Sequence, residues 1–148
     1  MQGTSLASWS PLALRIVLGI TFLAHGSQKL FGAFGSHGLS QLAQGVEKMG
    51  FYPGSLWAFL VASCEFFGGL LVLLGAAAEI GAAMIIPVML VAIWKVHGPN
   101  GFFITNSQPG FEYNFMILGA CVALILSGPG PLALFDPFHR WRQKSAAA

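Results

Sequence analysis

Ionisable side chains are scarce in this chain, and their spacing is regular. Arg15, Leu18, Phe22, His25 and Lys29 recur at intervals of 3, 4, 3 and 4 residues, which sets them on one face of a helix. Ser55, Ala58, Ala62, Glu65 and Gly69 form a second stripe, small at every position except Glu65. Lys95 and His97 close a further apolar stretch. Glu112, Met116, Gly119 and Ala123 form another stripe, with Asn114 beside its start. Imidazoles, ammonium groups and a carboxylate are the parts needed to move a proton, to hydrogen-bond a carbonyl ligand, or to make an ion pair.

The composition says what medium these groups sit in. Of 148 residues, 55% are hydrophobic and 8% are charged, and the mean hydropathy is +0.72. A soluble domain carries about a quarter charged residues. Seven Lys or Arg and five Asp or Glu cannot cover a chain of this size. A net charge of +2 supplies no field to hold phosphates, which argues against nucleic acid as a partner. Two Cys make no disulfide scaffold. The expected partner is the lipid bilayer.

A helix crosses the hydrocarbon core in about 20 residues. Four stretches approach this: Pro11–Leu30, Ser55–Gly75, Glu79–Val96 and the shorter Glu112–Ser127, stopped by Gly128–Pro131. The fold expected is an all-α integral membrane four-helix bundle in a single transmembrane domain. Spans two and three are joined by a very short loop and form an antiparallel hairpin. Between spans one and two, Leu39, Leu42, Ala43, Val46 and Met49 share one helical face, as in an amphipathic helix lying in the interface. Pro87 is expected to bend span three. The segment Leu132–Lys144, with Trp141, Arg140, Arg142 and Lys144, reads as an interfacial tail. Arg15 and the three tail cations outnumber Lys29, Lys48 and Lys95 by four to three. The positive-inside rule then puts both termini in the cytoplasm and both long loops outside the plasma (inner) membrane.

In that arrangement His25, Lys29, Glu65, Lys95, His97, Glu112 and Asn114 meet in the outer half of the bundle, with Arg15 on the inner side. Glu65 is the deepest. An ionisable residue inside a span is a candidate functional group. The alternative for Glu65 is a buried ion pair that only fixes helix packing. For Lys29 and Lys95 the alternative is anchoring at the interface, and for Glu112 it is helix capping. The segment Gly98–Phe103, including Asn100, is a candidate lid. No ligand spacing for a metal is visible, and no flavin motif. Cys64 and Cys121 read as buried free thiols.

Together these residues resemble the DoxX family of small membrane proteins. The resemblance rests on Arg15 followed by Gly19, then His25-Gly26-x-x-Lys29-Leu-Phe-Gly32, then Glu65-x-x-Gly68-Gly69 with Gly75 beyond. Asn100-Gly101-Phe-Phe and Glu112-x-Asn114 add to it, and the likeness runs from Leu12 to Pro131. It implies a four-helix bundle acting as a membrane oxidoreductase component, in the manner of a thiosulfate:quinone oxidoreductase subunit. On that reading quinone is the cofactor and a small sulfur anion such as thiosulfate is a candidate substrate. His25 and Glu65 are the candidate catalytic residues. Arg15, Lys29, Lys95, His97, Asn100, Glu112 and Asn114 form the pocket, and Gly68, Gly69, Gly75 and Gly119 serve helix packing. A soluble or membrane redox partner and a homodimer are further expectations. The alternatives are a non-catalytic anchor for a redox partner and a small-solute carrier.

Overall fold

The computed structural model describes residues 6–138, so the tail residues His139, Arg140, Trp141, Arg142 and Lys144 lie outside the described residues. The described residues form five α-helices: α1 (Ser10–Phe31), α2 (Gly38–Lys48), α3 (Gly54–Leu74), α4 (Ala78–Ala92) and α5 (Glu112–Ser127). α4 continues into a π-helical turn, Ile93–His97, and a 3-10 turn, Gly98–Asn100. Three helical stretches are long and apolar enough to cross a bilayer: Leu6–Phe31, Gly54–Leu74 and Ala78–Asn100. α5 is apolar but has 16 residues, a length of about 24 Å against a core of about 30 Å.

Pro11 occupies the first turn of α1, where its missing N–H costs nothing. The two ends of α3 are set by Pro53 ahead of its first turn and by Gly75 after its last. Gly75 adopts φ 64°, the left-handed conformation that ends helices.

α1 and α3 make the tightest crossing, because glycines meet backbone there. A Cβ on Gly26 would strike the Phe66 backbone, one on Gly69 would strike Leu23 N, and one on Gly19 would strike Leu73. These contacts share one antiparallel register, which brings Lys29 within a turn of Glu65. α3 and α4 are joined in the same way, with Gly68 and Gly81 each against the other's carbonyl. In a bilayer, where lipid is as apolar as Leu, such close packing is a main source of helix association. Gly68 and Gly69 are therefore used within the chain. Gly26→Leu is expected to lose folded, monodisperse protein on size exclusion, at the upper end of the about 1–3 kcal/mol typical of overpacking. Gly119→Leu is the control, since Gly119 is exposed with nothing near its missing Cβ.

The exposure of Gly119 shows that α5 is turned differently from expectation. The expected inward stripe of α5, with Met116, Gly119 and Ala123, faces out, and Met116 is 68% exposed. The inward face is Asn114, Ile117, Cys121 and Leu124, which joins Leu18, Phe22, Val72, Ala82 and Ile85 in the core. Small residues were the wrong guide here. The amide of Asn114 is the group that lipid cannot solvate, and it turns inward.

Candidate functional site

Two polar constructions stand at opposite ends of α1. At its start, Arg15 is 2% exposed and donates through all of its nitrogens to backbone carbonyls. Nε bonds Val72 O at 3.1 Å and Nη2 bonds Leu73 O at 3.1 Å, at the C-terminal end of α3. Nη1 bonds Pro129 O at 3.0 Å and Pro131 O at 2.9 Å, and Nη2 also bonds Leu132 O at 3.2 Å. The five N–H groups of a guanidinium thus each find an acceptor. The negative end of the α3 dipole faces the cation. The segment it gathers then pairs with the α3–α4 turn, through Phe135 N to Gly75 O at 3.1 Å and Ala77 N to Phe135 O at 2.8 Å. Arg15 is a fastener between α1, α3 and the segment after α5, not a pocket residue as expected.

Toward the other end of α1, Lys29 Nζ lies 2.5 Å from Glu65 Oε1 in a salt bridge. The Lys29 side chain is 27% exposed and that of Glu65 is 2% exposed. The second carboxylate oxygen, Oε2, is buried and has no hydrogen-bond partner. Such an atom costs free energy unless something fills it, and an orphan of this kind in a native fold calls for an explanation.

Both residues also line a cavity of about 530 Å³. α1 contributes Thr21, Phe22, His25 and Lys29; α3 contributes Trp57, Val61, Cys64 and Glu65. Pro87, Met89 and Ala92 of α4 and Tyr113, Asn114 and Ile117 of α5 complete the wall. Asn114 is anchored by a bond from Nδ2 to Met89 Sδ at 3.4 Å. The walls are mostly apolar, and the Lys29–Glu65 ion pair is part of them. Lys29 also borders a second, smaller cleft of about 260 Å³ with Gln28, Ser36 and Gln41. Lys29 therefore borders both spaces.

The cover also differs from expectation. Leu42 and Val46 of α2, with Met49 and Phe51 after it, line the cavity, whereas Gly98–Phe103 does not. These residues belong to the amphipathic stripe read from the sequence, of which Val46 is buried and Leu39, Leu42, Ala43 and Met49 are half-buried. Glu47 pins this cover by accepting Gly54 N at 3.0 Å.

Lys95, Asn100 and Glu112 are not in the cavity wall. Lys95 Nζ lies over the Trp94 ring, 4.0 Å from its centroid, and 5.7 Å from that of Phe51. A cation held on aromatic faces joins the end of α4 to the approach to α3. Asn100 Nδ2 donates to Val96 O and Pro109 O, and Glu112 Oε2 accepts Ile104 N at 3.1 Å. Both shape the loop between α4 and α5 by satisfying backbone groups. His97 lines the cavity, and its Nδ1 is 3.0 Å from Pro109 O. Lys29 is thus paired with Glu65, and Lys95 rests on its rings.

Among the described residues no group of three or more His, Cys, Asp and Glu comes together as a metal site. Cys64 and Cys121 are free; Cys64 lines the cavity and Cys121 is buried in the core. Cavity residues that the sequence reading passed over include Trp57, Met89 and Tyr113. Tyr113 stands between Glu112 and Asn114, a signal the sequence offers; Trp57, between Leu56 and Ala58, has none.

A helical membrane protein with an ion pair buried in the wall of an apolar cavity is the class that fold and site define. The chain belongs to the DoxX family, which matches residues 10–98. It is also 32% identical over 135 residues to the Bacillus subtilis (strain 168) protein named "Putative oxidoreductase CatD", covering 86% of this chain and 84% of that protein. No solved structure matches.

Proposed function

We propose that the chain is a membrane oxidoreductase component that holds a quinone in the cavity between α1, α3, α4 and α5. The observation that carries this is the cavity itself: about 530 Å³, apolar, with the Lys29–Glu65 ion pair in its wall. Ligand sites of about 300–1,000 Å³ combine apolar walls with a few placed polar groups. A quinone has this two-part character, and when bound it supplies two-electron, two-proton chemistry. Lys29 has N–H groups beyond the one on Glu65 to offer a ring oxygen, and His25 stands one turn before it. Phe22, Trp57 and Met89 supply apolar contact for a ring, and Glu65 is placed to exchange a proton with it. Membership of the DoxX family and the name of the B. subtilis relative support the oxidoreductase part of this reading.

The electrons are supplied or taken by a redox partner, soluble or membrane-bound. A small sulfur anion such as thiosulfate is the less supported half of the original expectation, because Lys29 and Lys95 are both engaged. The plasma (inner) membrane with cytoplasmic termini stays our placement, on the balance of cations between the two sides. A second reading, a non-catalytic membrane anchor, is favoured by the salt bridge that ties α1 to α3. Protein purified in mild detergent from quinone-containing membranes separates the two. Mass spectrometry is expected to find quinone retained with the chain. A chain that carries none, and does not bind added quinone, is an anchor.

A further inference from the structure

The segment Gly98–Phe103, expected as a lid, supplies no residue to the cavity wall. It leads instead into three consecutive large apolar residues on irregular chain. Phe102, Phe103 and Ile104 are 41%, 60% and 48% exposed. Their rings extend a surface that already faces lipid. Phe102 stands edge-on to Phe103 and to Phe111, with ring centres 5.3 Å apart in both pairs, and 6.4 Å from Phe115. Phe115 is 57% exposed on the outward side of α5, beside Met116.

The backbone behind these rings is tied to itself. The carbonyls of Gly101, Phe102 and Phe103 accept from Phe111 N at 3.1 Å, Glu112 N at 2.9 Å and Gly110 N at 3.1 Å. Gly110 allows the two legs to close, since a Cβ there would strike the Gly101 and Phe102 carbonyls. Side chains supply further bonds, from Ile104 N to Glu112 Oε2, from Asn106 Nδ2 to Asn100 O, and from Asn100 Nδ2 to Pro109 O. Each polar group paired in this way costs less to bring out of water. The bond to Glu112 N also sets the three side chains beside the first residue of α5, the helix that is about 6 Å shorter than the hydrocarbon core.

We infer that Phe102, Phe103 and Ile104 are a wedge that enters the headgroup–acyl boundary of one leaflet, which makes the loop between α4 and α5 a lipid-binding element. Aromatic and aliphatic side chains are favoured at that depth. The backbone stays at headgroup level, and the exposed polar run of residues 105–108 is left for headgroups and water. Lipid is the occupant because the wedge is continuous, ring to ring, with the outward face of α5. The wedge also steadies the cavity, since Pro109 O is held by Asn100 and lies 3.0 Å from Nδ1 of His97, a wall residue.

The test places the whole chain in phospholipid nanodiscs and labels it with two reagents in parallel. One is a carbene generated from a diazirine dissolved in the acyl chains, and the other is hydroxyl radical generated in water. Fragmentation mass spectrometry then gives the ratio of carbene to radical labelling at Phe102, Phe103 and Phe115, three copies of one side chain. The ratio at Phe102 and Phe103 is expected to lie within about threefold of that at Phe115, as for rings that meet the same medium. A lower ratio puts the two rings in water and overturns the inference. Little labelling of them by either reagent also overturns it, because a protein surface, from a second copy or another chain, then covers the wedge.

Discussion

Lys29→Met is expected to lower the stability of the folded chain by about 3–5 kcal/mol, the cost of leaving one member of a buried ion pair alone. Glu65 would then keep its 2% exposure with both carboxylate oxygens unpaired. Most of that loss is expected to return in Lys29→Met/Glu65→Gln, because a neutral amide does not need a counter-ion. Thermal unfolding in detergent, followed by loss of the monodisperse peak, measures all the members of the cycle. A lysine that only reached the interface would cost under about 1 kcal/mol when removed. The double variant would then be no more stable than Lys29→Met. The register of α1 on α3 makes the larger value the expected one. Gly26 and Gly69 bring the two backbones so close that Lys29 lies over Glu65 without leaving its helix.

Arg15→Lys is expected to be nearly as damaging as Arg15→Met, which is not how a simple charge behaves. Five carbonyls converge on Arg15, from Val72, Leu73, Pro129, Pro131 and Leu132. A lysine offers three donors from a single nitrogen and cannot span acceptors on two chain segments. Each buried carbonyl left unpaired costs about 1–3 kcal/mol. A total of about 3–5 kcal/mol follows if some of them find water. Limited proteolysis between Gly128 and Phe138 is the specific readout, since that segment is what Arg15 holds to the end of α3. Early cleavage there in Arg15→Lys is the expected result. Resistance equal to the unaltered chain would mean that the segment is held by its backbone pairing with Gly75 and Ala77. Ligand binding by the folded fraction should change little, because the Lys29–Glu65 pair stands toward the far end of α1.

Much of this was legible in the residues. Of the first stripe Arg15, Leu18 and Phe22 are buried, Lys29 is partly buried and His25 is exposed; of the second, Ala58, Ala62, Glu65 and Gly69 are buried and Ser55 is exposed. Glu65 was readable because a carboxylate at mid-span has so few choices, and Lys29 because it shares a face with buried residues. Helix α5 was not, since lipid and protein interior are equally apolar and its residues do not say which way they face. Gly119 and Asn114 pointed to different faces, and the polar amide decided the outcome. The loop after α4 hid a different fact. Asn100 and Glu112 look like site residues in sequence, but irregular backbone at a membrane surface needs partners, and side-chain oxygens and amides are the ones at hand. Arg15 shows the same effect on a larger scale, since a motif residue at the head of a span proved to serve carbonyls. The cover over the cavity was legible as an amphipathic helix, but its target was not. A stripe of Leu42 and Val46 fits a bilayer surface as well as a cavity mouth.

If the cavity lined by Lys29 and Glu65 holds a quinone, the ligand can be counted. The chain and the cavity-filling variant Ala92→Phe would be purified in parallel from the same membranes, and quinone per chain determined by mass spectrometry. The unaltered chain is predicted to retain quinone at close to one per chain. Ala92→Phe, folded by size exclusion, is predicted to lose most of it. Equal retention by both, or none in either even after quinone is added, would mean that the cavity is not a quinone site.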